Sequence, residues 1–105
     1  MKMKGKLCAR KQRLLNYFEE RGLPYTAATI DREPVVYRKL KDYDIEISGG
    51  SYQRPFLVYV WALQNGHRPA YTVAAYTVPS EDIPSAAAEI NAIVEEYKEA
   101  PAHDR

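Results

Sequence analysis

The carboxylates most suggestive of chemistry in this sequence are Asp44 and Glu46. In an extended strand the two side chains point to one face, as paired metal-binding carboxylates do. A metal-dependent nuclease with an Asp…Glu-x-Lys pattern needs a lysine two residues after the glutamate, and Ser48 stands there. The pair is therefore interpreted as the solvent side of an amphipathic strand, and no metal site is predicted.

The histidines and the cysteine offer no second catalytic arrangement. His67 lies beside a predicted turn and His103 near the end of the chain, with no Ser, Cys or Asp at a motif spacing. Cys8 is the only cysteine, so it forms no internal disulfide, and with two histidines it does not complete a zinc site of the usual kind. No enzyme activity and no cofactor are predicted.

A basic segment begins the chain. Its six cations, with no acid among them, are Lys2, Lys4, Lys6, Arg10, Lys11 and Arg13. Residues 1–30 carry seven basic and two acidic side chains, whereas residues 61–105 carry three and seven. Such a cluster predicts salt-dependent, sequence-independent contacts with nucleic-acid phosphates. One competing interpretation of the cluster is a solubilising tail with a solvated helix face. The charge asymmetry between the two ends of the chain could also reflect two helices of opposite charge that face each other.

Two helices are predicted, one at each end of the chain. The first spans about residues 7–21 and stops at Gly22, which suits the left-handed position just past a helix, before Leu23-Pro24. The second runs from Glu81 or Ile83 to Glu99, with Ser80 as the expected N-cap. Both carry an apolar stripe at helical spacing.

Four or five strands are predicted between the helices. Residues 25–30 are the optional fifth strand at the edge, and the others are 35–40, 44–48, 56–63 and 69–78. A tight connection around residues 41–43 would set Lys39 opposite Glu46. Asn65-Gly66 predicts a two-residue type I′ turn between the last two strands.

This order predicts an α+β fold in which both helices cover one face of an antiparallel meander. The 105 residues suit a single domain, with residues 1–5 and 100–105 frayed. No apolar run approaches the ~20 residues that a membrane helix needs, so no membrane association is expected. No apolar signal core follows the basic start, which favours a cytoplasmic protein.

The strand over residues 56–63 is apolar on both faces. The face with fewer aromatic and polar residues is assigned to the core. In the predicted register it pairs Phe56, Val58, Val60 and Ala62 with Ala75, Val73, Tyr71 and Pro69. The other face is richer in aromatic and polar residues, a composition typical of protein interfaces. Its predicted docking residues are Leu57, Tyr59, Trp61, Arg68 and Thr72, with Tyr43 and Tyr76 beside them. The competing interpretation packs Trp61 under the helices.

The sequence thus favours a non-catalytic binding module that docks on another protein or on a second copy of itself. An inhibitor, an adaptor or an antitoxin-like regulator, of the kind that phages and mobile elements encode, would act in this way. The alternative is a nucleic-acid-binding protein that uses the basic N-terminal segment.

Overall fold

The computed structural model describes residues 6–64 and 68–99, with the backbone alone for residues 68–70. The elements are α1 (Ala9–Glu20), β1 (Thr26–Ile30), β2 (Glu33–Lys39), β3 (Tyr43–Gly49), β4 (Phe56–Gln64), β5 (Arg68–Val78) and α2 (Ile83–Lys98). A single 3-10 turn over Ser51–Gln53 lies between β3 and β4. The five strands pair in chain order and all pairs are antiparallel. The predicted α+β meander is confirmed, and β1 is its fifth, edge strand.

One hydrophobic core lies between the two helices and one face of the sheet. Helix α1 contributes Leu14, Leu15 and Phe18, and the aromatic ring of Phe18 stacks on Tyr25 with ring centroids 3.8 Å apart. Helix α2 contributes the stripe Ala86, Ala87, Ile90, Ile93 and Val94. The core face of β4 consists of the four residues predicted for it: Phe56, Val58, Val60 and Ala62. Both helices therefore cover the same face, as expected.

The C-terminal end of α1 follows its sequence signal, whereas the N-terminal end of α2 does not. Gly22 has a positive φ of 71°, and the amide of Leu23 donates to the carbonyl of Phe18, which closes α1 as predicted. The N-cap of α2, however, is Asp82 and not Ser80. The hydroxyl of Ser80 is buried and donates to the carbonyl of Arg54 at 2.8 Å. Ser80 therefore ties the end of β5 to the entry of β4.

The predicted register between β2 and β3 is shifted by two residues. The amide of Leu40 donates to the carbonyl of Tyr43, so the loop is only Lys41-Asp42 and Tyr43 belongs to β3. Lys39 consequently faces Asp44, and Glu46 faces Tyr37. The shift places an aromatic side chain, rather than a cation, directly opposite Glu46.

The predicted register between β4 and β5 is also wrong. Gln64 pairs with Arg68, which leaves the three residues 65–67, outside the described residues, in the connection. The pairing shifts twice more along β5, where Ala70 and Val73 are extra residues without a partner on β4. The β5 residues that pack on the core are therefore Ala74, Tyr76 and Val78. Of the predicted core residues, Val73 and Ala75 are exposed, and Tyr71 pairs with the core residue Ala62 but is 55% exposed. The side chain of Pro69 lies outside the described part of the structure.

Across residues 6–64 and 68–99, no helix is long and apolar enough to cross a membrane.

Candidate functional site

The sheet face opposite the helices contains a cleft, which we call the open-face cleft. Its volume is about 400 Å³. One wall consists of Leu57, Tyr59 and Trp61, which alternate along β4 and are each half-buried, together with the exposed Thr72 of β5. Thr72 pairs directly with Trp61 in the sheet. Four of the predicted docking residues therefore line one concavity.

Glu46 forms the floor of the open-face cleft. It lies on β3, the central strand, directly opposite Tyr59 of β4, and only 9% of its surface is exposed. Its Oε1 accepts a 3.1 Å hydrogen bond from the indole Nε1 of Trp61. The aromatic wall and the carboxylate floor are thus joined by a direct hydrogen bond.

The surroundings of Glu46 disfavour its charged form. Burial is the main cause of a raised pKa for this carboxyl, because a charge that leaves water loses solvation. The hydrogen bond from Trp61 acts in the opposite direction, and the negative charges of Glu33 and Asp31 raise the pKa of Glu46 further. Lys11 lowers it to a smaller extent.

The second wall of the open-face cleft is acidic and comes from the β1–β2 hairpin. Asp31 and Arg32 form its two-residue loop, and both have positive φ values, of 51° and 69°, as a type I′ turn requires. Asp31 and the following Glu33 line the cleft. Oε2 of Glu33 accepts from the Nζ of Lys11 at 3.1 Å and from the amide of Gly49 at 3.2 Å. Glu33 is therefore held in place by a cation and a backbone amide.

The acidic half of this site was not predicted from the sequence. Strand alternation correctly set Asp44 and Glu46 on the face away from the helices, but it predicted that both were solvated. In the structure Tyr37 donates a 2.7 Å hydrogen bond to Asp44, and Glu46 is buried beneath Trp61. Among the described residues, no group of three or more His, Cys, Asp and Glu side chains is arranged to hold a metal ion.

Two of the predicted docking residues belong to the opposite face. Tyr43 is 6% exposed and packs in the core, with its ring edge-on to Tyr97 at a centroid distance of 5.0 Å. The hydroxyl of Tyr76 lies 2.9 Å from the hydroxyl of Tyr97 on α2. Neither residue reaches the open-face cleft, because each tyrosine ring packs towards the core. Trp61 is not packed under the helices, so that competing interpretation is wrong.

The backbone of Arg68, the remaining predicted docking residue, pairs with Gln64 at the start of β5. The side chain of Arg68 lies outside the described part of the structure. A role for Arg68 in binding therefore stays a prediction.

One of the described cations of the basic segment is buried. Lys6 and Arg13 are exposed, but Lys11 is 3% exposed and its Nζ bonds Glu33 and the carbonyl of Pro34. Arg10 donates to the hydroxyl of Ser80 at 3.1 Å. Lys11 is therefore a structural cation, which corrects its predicted role in binding nucleic acid. Lys2 and Lys4 lie outside the described residues.

A second cleft, of about 390 Å³, lies at the start of α1. Arg10 and Arg13 line it together with Cys8 and residues 50–53. No side chain caps the first turn of α1, where Cys8 occupies the N-cap position. Two cations and uncapped helix amides give this second cleft a positive character.

Comparison of the chain with protein-family models, with curated proteins and with solved structures finds no match.

Proposed function

We propose that this protein is a non-catalytic binding module that docks on another protein through its open-face cleft. The observation that supports this most directly is the convergence of Leu57, Tyr59, Trp61 and Thr72 on one cleft of about 400 Å³. Tyrosine and tryptophan bury a large area with few rotatable bonds and keep a polar group, which makes them effective interface anchors.

The two faces of the sheet have different roles, and this difference also supports the proposal. The helices and one face provide the core, so the side chains of the other face are free of a role in packing the helices. The proposed protein would act in the cytoplasm as an inhibitor, an adaptor or an antitoxin-like regulator. It would occupy a surface of its partner rather than transform a substrate.

Site-specific photocrosslinking tests this proposal. A photoreactive phenylalanine analogue replaces Thr72, which is exposed at the rim of the cleft, or Ala92, which is exposed on α2. In an extract of the source cells, we expect a discrete crosslinked protein from position 72 and none from position 92. The crosslinked protein is then identified, purified and titrated against the unmodified chain and a Tyr59→Ala/Trp61→Ala variant.

The double variant should weaken that binding at least a hundredfold, which corresponds to about 2.7 kcal/mol. Equal crosslinking from both positions, or unchanged affinity of the double variant, would contradict the proposal. Sedimentation of the pure protein tests a second copy as the occupant, since a dimer formed through the cleft would dissociate in the same double variant.

Nucleic-acid binding is the second candidate function, and the cleft between α1 and residues 50–53 favours it. Arg10 and Arg13 line that cleft beside the uncapped start of a helix, an arrangement suited to phosphate oxygens. Anisotropy of labelled duplex and single-stranded DNA and RNA across a salt series tests this function. The absence of binding at low salt would remove it.

A further inference from the structure

The floor of the open-face cleft holds a carboxylate whose charge is not matched. Glu46 is nine-tenths buried, and its single hydrogen bond within the described structure comes from Trp61 and reaches Oε1. Among the described cations, Lys11 alone lowers the pKa of Glu46, and the Nζ of Lys11 is already bound to Glu33. A buried carboxylate is costly unless a cation or further donors accompany it.

The residues around Glu46 suit a planar cation. Tyr59 and Trp61 supply aromatic rings on one wall, and an arginine guanidinium both stacks on such rings and forms paired hydrogen bonds with a carboxylate. Asp31 and Glu33 add negative charge to the opposite wall, and no lysine or arginine of the described chain lines the cleft.

We propose that the open-face cleft receives an arginine side chain of a partner protein, with the guanidinium paired to Glu46 and stacked against the aromatic wall. This inference rests on the proposed function and names the chemistry of the partner. The acidic wall and floor would repel the phosphates of a nucleic acid. A lysine ammonium would satisfy the charge, but it lacks the planar fork that can occupy Oε2 while the cation lies against a ring.

Trp61 provides a direct reporter because it is the only tryptophan in the chain. Its indole Nε1–H gives a single resonance in a ¹H–¹⁵N spectrum of the labelled protein. The capped tripeptide Gly-Arg-Gly is titrated to about 50 mM, well above the millimolar Kd that about 4 kcal/mol provides. The control peptides replace arginine with citrulline, which has nearly the same shape and no charge, or with lysine.

We expect a saturable shift of the Trp61 indole resonance with the arginine peptide and at least tenfold weaker binding of the citrulline and lysine peptides. Glu46→Gln keeps an acceptor for the indole and removes the charge, so it should weaken arginine binding at least tenfold. Glu89→Gln, at an exposed position on α2, is the matched control and should leave the affinity unchanged.

Three results would overturn this inference: no saturation by about 50 mM, equal affinity for citrulline or lysine, or unchanged arginine affinity in Glu46→Gln. None of these results bears on whether the face docks a protein, because the crosslink at position 72 reports that separately. A crosslinked partner that binds while the arginine peptide does not would leave the docking function standing and refute the arginine site alone.

Discussion

The indole Nε1 of Trp61 donates a 3.1 Å hydrogen bond to Oε1 of Glu46, across two neighbouring strands and on the sheet face that the helices leave uncovered. The bond is diagonal, since Glu46 pairs directly with Tyr59 and Trp61 lies two residues further along β4. It orients the indole over a carboxylate that is buried in the same cleft. A change in the charge of Glu46 should therefore alter the electrostatic environment of the Trp61 indole.

The buried carboxyl of Glu46 should give the protein a characteristic dependence of stability on pH. Its pKa in the folded state is raised above the ordinary value of 4.5, mainly by burial. Between 4.5 and the raised pKa the folded protein binds more protons than the unfolded chain, so the free energy of unfolding falls as the pH rises through this window.

The Glu46→Gln variant should lose this slope. We expect it to be more stable than the parent at about pH 8, with the difference shrinking as the pH falls towards about 4. Urea denaturation followed by circular dichroism at several pH values measures the effect, and Glu89→Gln controls for general charge effects. A parent protein whose stability falls relative to Glu46→Gln as the pH is lowered would contradict the placement of Glu46.

Two aromatic residues on β4 should differ sharply in their contribution to stability. Phe56 is fully buried on the core face, whereas Tyr59 is half-buried on the open face. Phe56→Ala should cost about 3–5 kcal/mol of unfolding free energy, because it removes a core ring and leaves a cavity. Tyr59→Ala should cost less than about 1.5 kcal/mol.

Chemical denaturation of the two variants checks this difference. If Tyr59→Ala proved as damaging as Phe56→Ala, the open face would be part of the folding core. Loss of binding in Tyr59 variants would then reflect loss of structure, and those variants would not test the docking function.

The face of β4 was predictable from the sequence, but the face of β5 was not. Alternation alone separates the core residue Val58 from Tyr59, because β4 is regular over its apolar run. On β5 the two extra residues Ala70 and Val73 each reverse the alternation, so a register projected from the turn loses its validity after a few residues. No local signal in an apolar strand identifies such bulges in advance.

The acidic half of the candidate site was likewise not predictable from the local sequence. Glu46 is a strand residue on the correct face, and its burial arises from tertiary neighbours: the β1–β2 hairpin on one side and Trp61 on the other. Tyr43 shows the converse, because it was predicted beside the aromatic docking face while its ring belongs to the core. Residue type predicts the chemistry of a tyrosine or a glutamate better than it predicts its exposure.

Gly49 should be far less tolerant of substitution than its place in a Ser-Gly-Gly-Ser stretch indicates. It has a positive φ of 78°, and a Cβ atom there would lie 2.6 Å from the carbonyl oxygen of Pro55, a backbone atom. Gly22 is the matched control, with a similar φ of 71° and no atom within 4 Å of the place that a Cβ would occupy. Gly22→Ala should cost roughly 1–2 kcal/mol for the left-handed conformation alone.

We expect Gly49→Ala to cost clearly more, since the backbone between β3 and β4 must also move. Thermal or urea denaturation of both variants isolates the effect of the close approach as the difference between them. Equal losses of unfolding free energy in the two variants would mean that the backbone of the loop after β3 can move at little cost. The amide of Gly49, which donates to Glu33 in the acidic wall, would then be a weak support for the site.

The nucleic-acid alternative makes a quantitative prediction about salt. If the basic segment binds phosphates, deletion of residues 1–6 should flatten the plot of log affinity against log salt by about 0.9 for each duplex phosphate that the shortened chain no longer neutralises. Arg13→Gln, at an exposed position, should flatten it by a similar single step. Lys11→Met should leave the slope unchanged, because Lys11 is buried and already paired with Glu33. An unchanged slope after the deletion would end this alternative, whereas a flatter slope for Lys11→Met would show that the pair with Glu33 opens on binding.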